Sequence, residues 1–216
     1  MRQYVEKAVK SLDLEGKIDI AHCVFYLEEI FQINRAIVVK TIKDAPDALM
    51  DLLGQAAADY LAGVVKNDDV IGISWGRTLN AVLDSISEIA KADVVQLVGG
   101  LANDDINVGG AALARKLAAK TGGKVFPLHA PMLVGSAELA TQLKNDPEIK
   151  STVDRFKKVS VAVVGIGAWL PKESALLSSL SKSELDEISK QQVAGDLCAR
   201  VVNAQGQFID TPVQER

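Results

Sequence analysis

The sequence predicts an α/β domain: an open, mostly parallel sheet with helices on both faces and a β-hairpin at the C-terminus. Three observations carry that prediction. Runs of β-branched residues alternate with stretches of helical apolar spacing along most of the chain. These runs are apolar at consecutive positions, as in VSVAVVG over residues 159–165, so both faces of each strand are to be covered. Glycine, small or short polar residues follow the runs, as strand-to-helix turns require.

Taken in order, residues 1–34 read as helical, with Asp19 placed to cap a helix that buries Ile20, Cys23, Val24, Leu27, Ile30 and Phe31 beside the sheet. The first strand is expected over residues 35–41 (RAIVVKT), followed by a helix over 44–65 with Leu49, Leu52, Leu53, Ala56, Tyr60, Leu61 and Val64 at helical spacing. A strand over 69–75 leads to a helix over 78–90, and a strand over 93–98 ends on Gly99-Gly100. The helix over 111–121 is stopped by Gly122-Gly123. A strand is expected over 124–128, and a helix capped by Ser136 runs to Lys144. After the strand at 159–165, Ser181 and Glu184 have the spacing of a capping box for a helix over 181–190. Residues 197–203, the turn at 204–206 and residues 207–209 read as the hairpin. No repeat or long linker divides the chain, so residues 1–216 are expected to form a single domain.

Composition narrows the function. Hydrophobic residues make up 48% and charged residues 24%, the balance of a globular domain. The net charge of −4 comes without blocks of like charge, which excludes a broad basic face for a phosphate backbone. Cys23 and Cys198 stand far apart without a CxxC pattern, and the two histidines lack paired partners, so neither a metal site nor a cofactor is expected. No run is long enough for a membrane span and residues 1–10 lack a signal peptide's apolar stretch, so a cytoplasmic protein is expected.

In open α/β sheets ligands sit beyond the carboxyl ends of the strands, so the residues that follow each strand are the candidates. These are Ser74, Trp75, Gly76, Arg77 and Thr78, then Gly99, Gly100 and Asn103, then His129, Ala130 and Pro131, and last Gly165, Gly167 and Ala168. The turn Gly76-Arg77-Thr78 gathers free amides, a guanidinium and a hydroxyl at a helix start, the chemistry of an anion seat. It is neither a GxxxxGK loop nor a GxGxxG fingerprint. His22 reads as a packed or rim residue, both cysteines as small buried residues, and Trp75 and Trp169 as core or cleft-wall aromatics.

The segments DDVIGISWGRTL, VVQLVGGL, HAPMLVGSAELATQLKNDPEI, VAVVGIGAW and GDLCARVVNAQGQFID, in that order, resemble the sugar-binding (effector) domain of the SorC family of bacterial transcriptional regulators. The resemblance runs from about Asp19 to the last residue. It implies a fold similar to that of glucosamine-6-phosphate deaminase and ribose-5-phosphate isomerase, a phosphorylated sugar as effector, and a homo-oligomer (dimer or tetramer) formed through this domain. By the same resemblance Gly76, Arg77 and Thr78 cradle the phosphate, and the loops at Gly99, Gly100 and Asn103 lie beside it. His129, Ala130 and Pro131 lie over the sugar, and Asp196 takes sugar hydroxyls. SorC-type regulators usually begin with a helix-turn-helix domain and continue past the hairpin with a lysine-bearing segment. Neither is read in this chain, so DNA is expected as a partner only through a domain absent here.

Three functions compete on these grounds. One is an effector-sensing domain; another is a sugar-phosphate isomerase or deaminase, for which Asp104, Asp105 and His129 are the candidate bases. The third is an interaction domain with a vestigial pocket. Sensing is the favoured expectation, with no catalytic residues.

Overall fold

The computed structural model describes residues 20–40, 46–101, 108–169 and 174–216. In chain order the elements are α1 (Ile20–Phe31), α2 (Pro46–Val64), β1 (Val70–Ile73), α3 (Arg77–Ser85), β2 (Asp93–Gln96), α4 (Gly110–Thr121), β3 (Val125–Phe126), α5 (Ala137–Asn145) and α6 (Pro147–Val153). They continue with β4 (Val161–Val163), β5 (Ile166–Ala168), α7 (Lys182–Ser189), β6 (Val193–Leu197) and β7 (Arg200–Asn203), with short 3₁₀ turns at Asp154–Lys158, Ala175–Ser179 and Pro212–Glu215.

The four parallel strands lie in the order β3-β2-β1-β4, flanked by helices as the apolar runs require. Successive strands step outward from β1 to β3, and β4 then joins on the opposite side of β1. The strand order therefore reverses between β1 and β4, the place where open α/β sheets leave a crevice beyond their carboxyl ends. Ile71, Ile73, Leu83, Val94, Leu113 and Leu117 are at most 0% exposed and form the centre of the first core. Each such side chain stabilises the fold by about 1.5–3 kcal/mol relative to exposure. On α2, Gly54 lets the helix approach α3 so closely that a Cβ would lie 2.7 Å from the Ala81 carbonyl oxygen.

The second unit is an antiparallel sheet, β5-β6-β7, packed over a separate core of Trp169, Leu176, Leu180, Ile188, Val201 and Val213. Only Val164 and Gly165 separate β4 of the first sheet from β5 of the second.

Several expectations are corrected. Residues 35–40, the described part of the first expected strand, are not assigned to a strand; Arg35, Ile37 and Val39 line an apolar groove with Val161–Val164 and α2. The helix after β1 stops at Ser85, whose hydroxyl donates back to the Ala81 carbonyl, and Ile86 turns extended. The expected continuous strand 197–203 is split by a two-residue turn at Cys198 (φ 51°) and Ala199 (φ 64°), which folds β7 back on β6. The hairpin turn expected at 204–206 does form beyond β7: Val202 bridges Phe208, Asn203 N–H donates to the Gln207 carbonyl and Ile209 N–H to the Val201 carbonyl, both at 3.0 Å. Residues 166–168, expected to be a loop, form β5. α1 forms within the expected helical segment, but Ile20 and Ile30 are exposed and Phe25 is 60% exposed. Apolar side chains lie on more than one of its faces, so no single orientation buries them all. The expected cap Asp19 lies outside the described residues.

Candidate functional site

The crevice at the β1–β4 reversal opens into a cavity of about 500 Å³. Strand β1 gives way to Ser74, whose N–H donates to the Val163 carbonyl (3.2 Å) and whose hydroxyl accepts from Gly165 N–H (3.3 Å). This small buried side chain stitches the two diverging strand ends together. Trp75, half-buried, walls the cavity.

Gly76 then makes the bend. Its backbone at φ 127°, ψ 160° is open essentially to glycine alone, and its N–H is held by the Val108 carbonyl at 3.2 Å. The first bond of the α3 ladder runs from Asn80 N–H to the Gly76 carbonyl (3.0 Å), so the amides of Arg77, Thr78 and Leu79 precede the ladder. No side chain caps this helix and no acidic residue stands in its first turn. Arg77 occupies the first helical position instead, a cation against the positive end of the helix dipole. Such a placement costs about 0.3–1 kcal/mol. A bound anion would reverse its sign.

The same cavity is lined by Asp196 on β6, 4% exposed. Its carboxylate accepts a short hydrogen bond from the Ser174 hydroxyl, and Gly167, its partner in the β5–β6 register, packs against the same oxygen. Burial raises the Asp196 pKa above the usual carboxylate range, while the hydrogen bonds from Ser174 and from the Ala199 backbone oppose the rise. Cys198 lines the same wall, and burial together with the Asp196 charge pushes its thiol up.

One cavity thus gathers Ser74, Trp75, Gly76, Arg77, Thr78, Gly165, Gly167, Ala168 and Asp196 from the residues that the sequence nominates. It also takes in Met50, Val108, Ser174 and Cys198, which sequence reasoning missed. Asp196 and Cys198, two apart, straddle the end of β6, so the Asp196 assignment already pointed toward Cys198. Ser174 carries no motif, since it is brought in by the fold of the second unit.

Gly99, Gly100, Ala130 and Pro131 line other hollows, away from the strand-order reversal. They bind each other: Gly100 N–H donates to the Ala130 carbonyl and Met132 N–H to the Gly100 carbonyl, both at 2.9 Å. Gly99 is glycine because a Cβ there would come within 2.5 Å of Pro131 backbone atoms. Gly99→Ala is therefore expected to lower the melting temperature rather than change ligand preference, checked by thermal denaturation beside a binding titration. His129 is exposed and does not line the cavity. Asn103, Asp104 and Asp105 lie outside the described residues. Trp169 is a core residue of the second unit, and no described helix is long and apolar enough to cross a membrane.

A parallel sheet whose order reverses beside an uncapped helix start, with a buried carboxylate lining the same cavity, is the architecture of a small-molecule binding domain. Residues 18–216 match the family described as "Putative sugar-binding domain", and the chain belongs to that family. Its fold is also that of the full-length sorbitol operon regulator SorC from Klebsiella pneumoniae, with a TM-score of 0.82 at 20% identity over 100% of this chain and 74% of that one. The transcriptional regulator YjhU of Escherichia coli (strain K12) is 26% identical over 210 residues, 93% of this chain and 62% of its own length. The deoxyribonucleoside regulator of Bacillus subtilis (strain 168) is 26% identical over 198 residues, 88% of this chain and 61% of its own. The chain thus spans less than two thirds of the length of these relatives. The resemblance to SorC-type effector domains is borne out in family and in fold.

Proposed function

We propose that this chain is the effector-sensing domain of a transcriptional regulator. It binds a phosphorylated sugar or sugar alcohol beyond the carboxyl ends of β1 and β4 and passes occupancy through a homo-oligomer interface to a DNA-binding domain. The observation that carries this reading is the uncapped start of α3, with Arg77 at its first position, lining the same cavity as the buried Asp196. The phosphate sits on the Arg77, Thr78 and Leu79 amides under the guanidinium, and the hydroxylated end reaches Asp196. Relatives named for sorbitol and deoxyribonucleoside regulation support a sugar-derived effector and a regulatory rather than catalytic role. Sensing is preferred over isomerase or deaminase chemistry because His129, one of the nominated bases, lies outside the cavity. Such coupling needs only that the effector bind two states of the oligomer unequally.

A thermal-shift panel of hexose, pentose and alditol phosphates tests the reading. At least one member is expected to raise the melting temperature, while its unphosphorylated counterpart does not; at a concentration 100 times Kd the gain is about 2.7 kcal/mol. Silence across the panel, or product formed from the best binder, would defeat the sensor reading.

A further inference from the structure

Two features of the cavity's inner wall go beyond an assignment of Asp196 as a hydroxyl acceptor. Ser174 and Asp196 are both buried, at 7% and 4% exposure. The Ser174 oxygen already accepts from Leu176 N–H at 3.1 Å, capping the 3₁₀ turn Ala175–Ser179. A hydroxyl has one proton, and Ser174 donates it to Asp196 Oδ1. The pair is further fixed by Gly167, where any Cβ would overlap Oδ1 and press on the Ser174 side chain. Among the described lining residues the other ionisable groups are Arg77, at the start of α3, and Cys198, whose thiol is pushed up by burial and then by the Asp196 charge. The described lining thus offers one cation, on α3, and one carboxylate, on β6.

Resting on the effector reading above, we propose that Ser174 is a positioning residue that sets the specificity of this cavity. By committing its proton to Asp196 it presents an acceptor-only carboxylate, which selects ligands phosphorylated at one end and carrying hydroxyl donors at the other. Ligands with a second anion at that far end are rejected. A site built around a hydroxyl discriminates strongly, because a ligand lacking the donor leaves the buried acceptor unpaired. A ligand bringing a carboxylate adds repulsion between like charges.

The test compares matched pairs: glucitol 6-phosphate against 6-phosphogluconate, and ribitol 5-phosphate against 5-phosphoribonate. Within each pair only a hydroxymethyl group is exchanged for a carboxylate. Calorimetry on the whole chain is expected to give at least about tenfold tighter binding of the sugar-alcohol member in the length series that binds. Asp196→Asn, whose amide is donor as well as acceptor, is expected to erase the preference. Asp196 must be ionised to accept, so affinity is full above its pKa and falls as pH drops through it. Ser174→Ala removes a bond that lowers this pKa, so the loss is expected to set in at higher pH, and Ser174→Thr is expected to restore the original profile. Carboxyl-carbon NMR of Asp196 in the ligand-free protein reads the same shift without any effector. Equal or tighter binding of the sugar-acid member overturns the specificity claim, and an unmoved Asp196 titration in Ser174→Ala overturns the positioning role. A moved titration with no binding of any phosphate upholds the Ser174–Asp196 coupling and defeats the effector reading instead.

Discussion

Replacing Arg77 with alanine is expected to weaken binding of the phosphorylated effector about 30- to 150-fold, the equivalent of about 2–3 kcal/mol for a lost charge-assisted contact. Arg77→Glu is expected to abolish binding, since a carboxylate would then stand where the phosphate sits. Neither change should harm the fold. Arg77 is exposed and stands at the end of α3 where a cation is disfavoured, so alanine removes an unfavourable helix-end charge. The glutamate variant should melt slightly higher than the parent in the absence of ligand. That opposition between stability and binding is the signature to seek, by thermal denaturation and calorimetry at one fixed ionic strength. Unchanged affinity in both variants would move the anion away from this turn.

Gly167→Ala is expected to abolish effector binding by disturbing the other wall. Its Cβ would overlap Asp196 Oδ1 and lie 3.0 Å from Ser174 Cβ. Both neighbours are buried and bonded to each other, so neither has a free direction in which to yield. Overpacking of this kind costs about 1–3 kcal/mol of stability. The damage should stay in the β5-β6-β7 unit, because the buried side chains of the first core form a separate cluster. Hydrogen exchange should therefore quicken in β5 and β6 while β1 and β2 keep their protection. Uniform loss of protection across both sheets would show that the two cores are not independent.

The parts of the fold legible in the sequence are those with local signals. Gly122 adopts the left-handed conformation (φ 66°) that stops α4, and Ser136 caps α5 by accepting from Leu139 N–H. Ser181 and Glu184 form the reciprocal box that starts α7. The start of α6 had such a signal too, Asp146 at the cap and Pro147 at the first position, and it went unused. The second sheet was harder to see because its key turn breaks the usual chemistry. Cys198 and Ala199 adopt positive φ where asparagine or glycine is the norm, so residues 197–203 read as one uninterrupted strand. The segment 35–40 has strand composition, yet propensity alone does not supply a pairing partner.

For the proposed site, strand-end chemistry nominates the residues after β1 and β4, and these line one cavity. The described residues nominated after β2 and β3 lie at other hollows or on the surface, where Gly99 and Pro131 press backbone against backbone. What told the two sets apart was strand order, which a single sequence does not contain. Ser174 depends on a contact across 22 positions of chain and left no trace in local pattern.

The two-residue passage from β4 to β5 has a mechanical consequence. Arg77 opens α3 just beyond β1 of one sheet, Asp196 lies on β6 of the other, and Val164-Gly165 is the short strap between the two sheets. On the proposed reading, an effector gripped at both ends would work as a clasp across that strap, turning occupancy into a set angle between the two sheets. A fragment that fills only the phosphate seat would leave the clasp undone, bound yet silent.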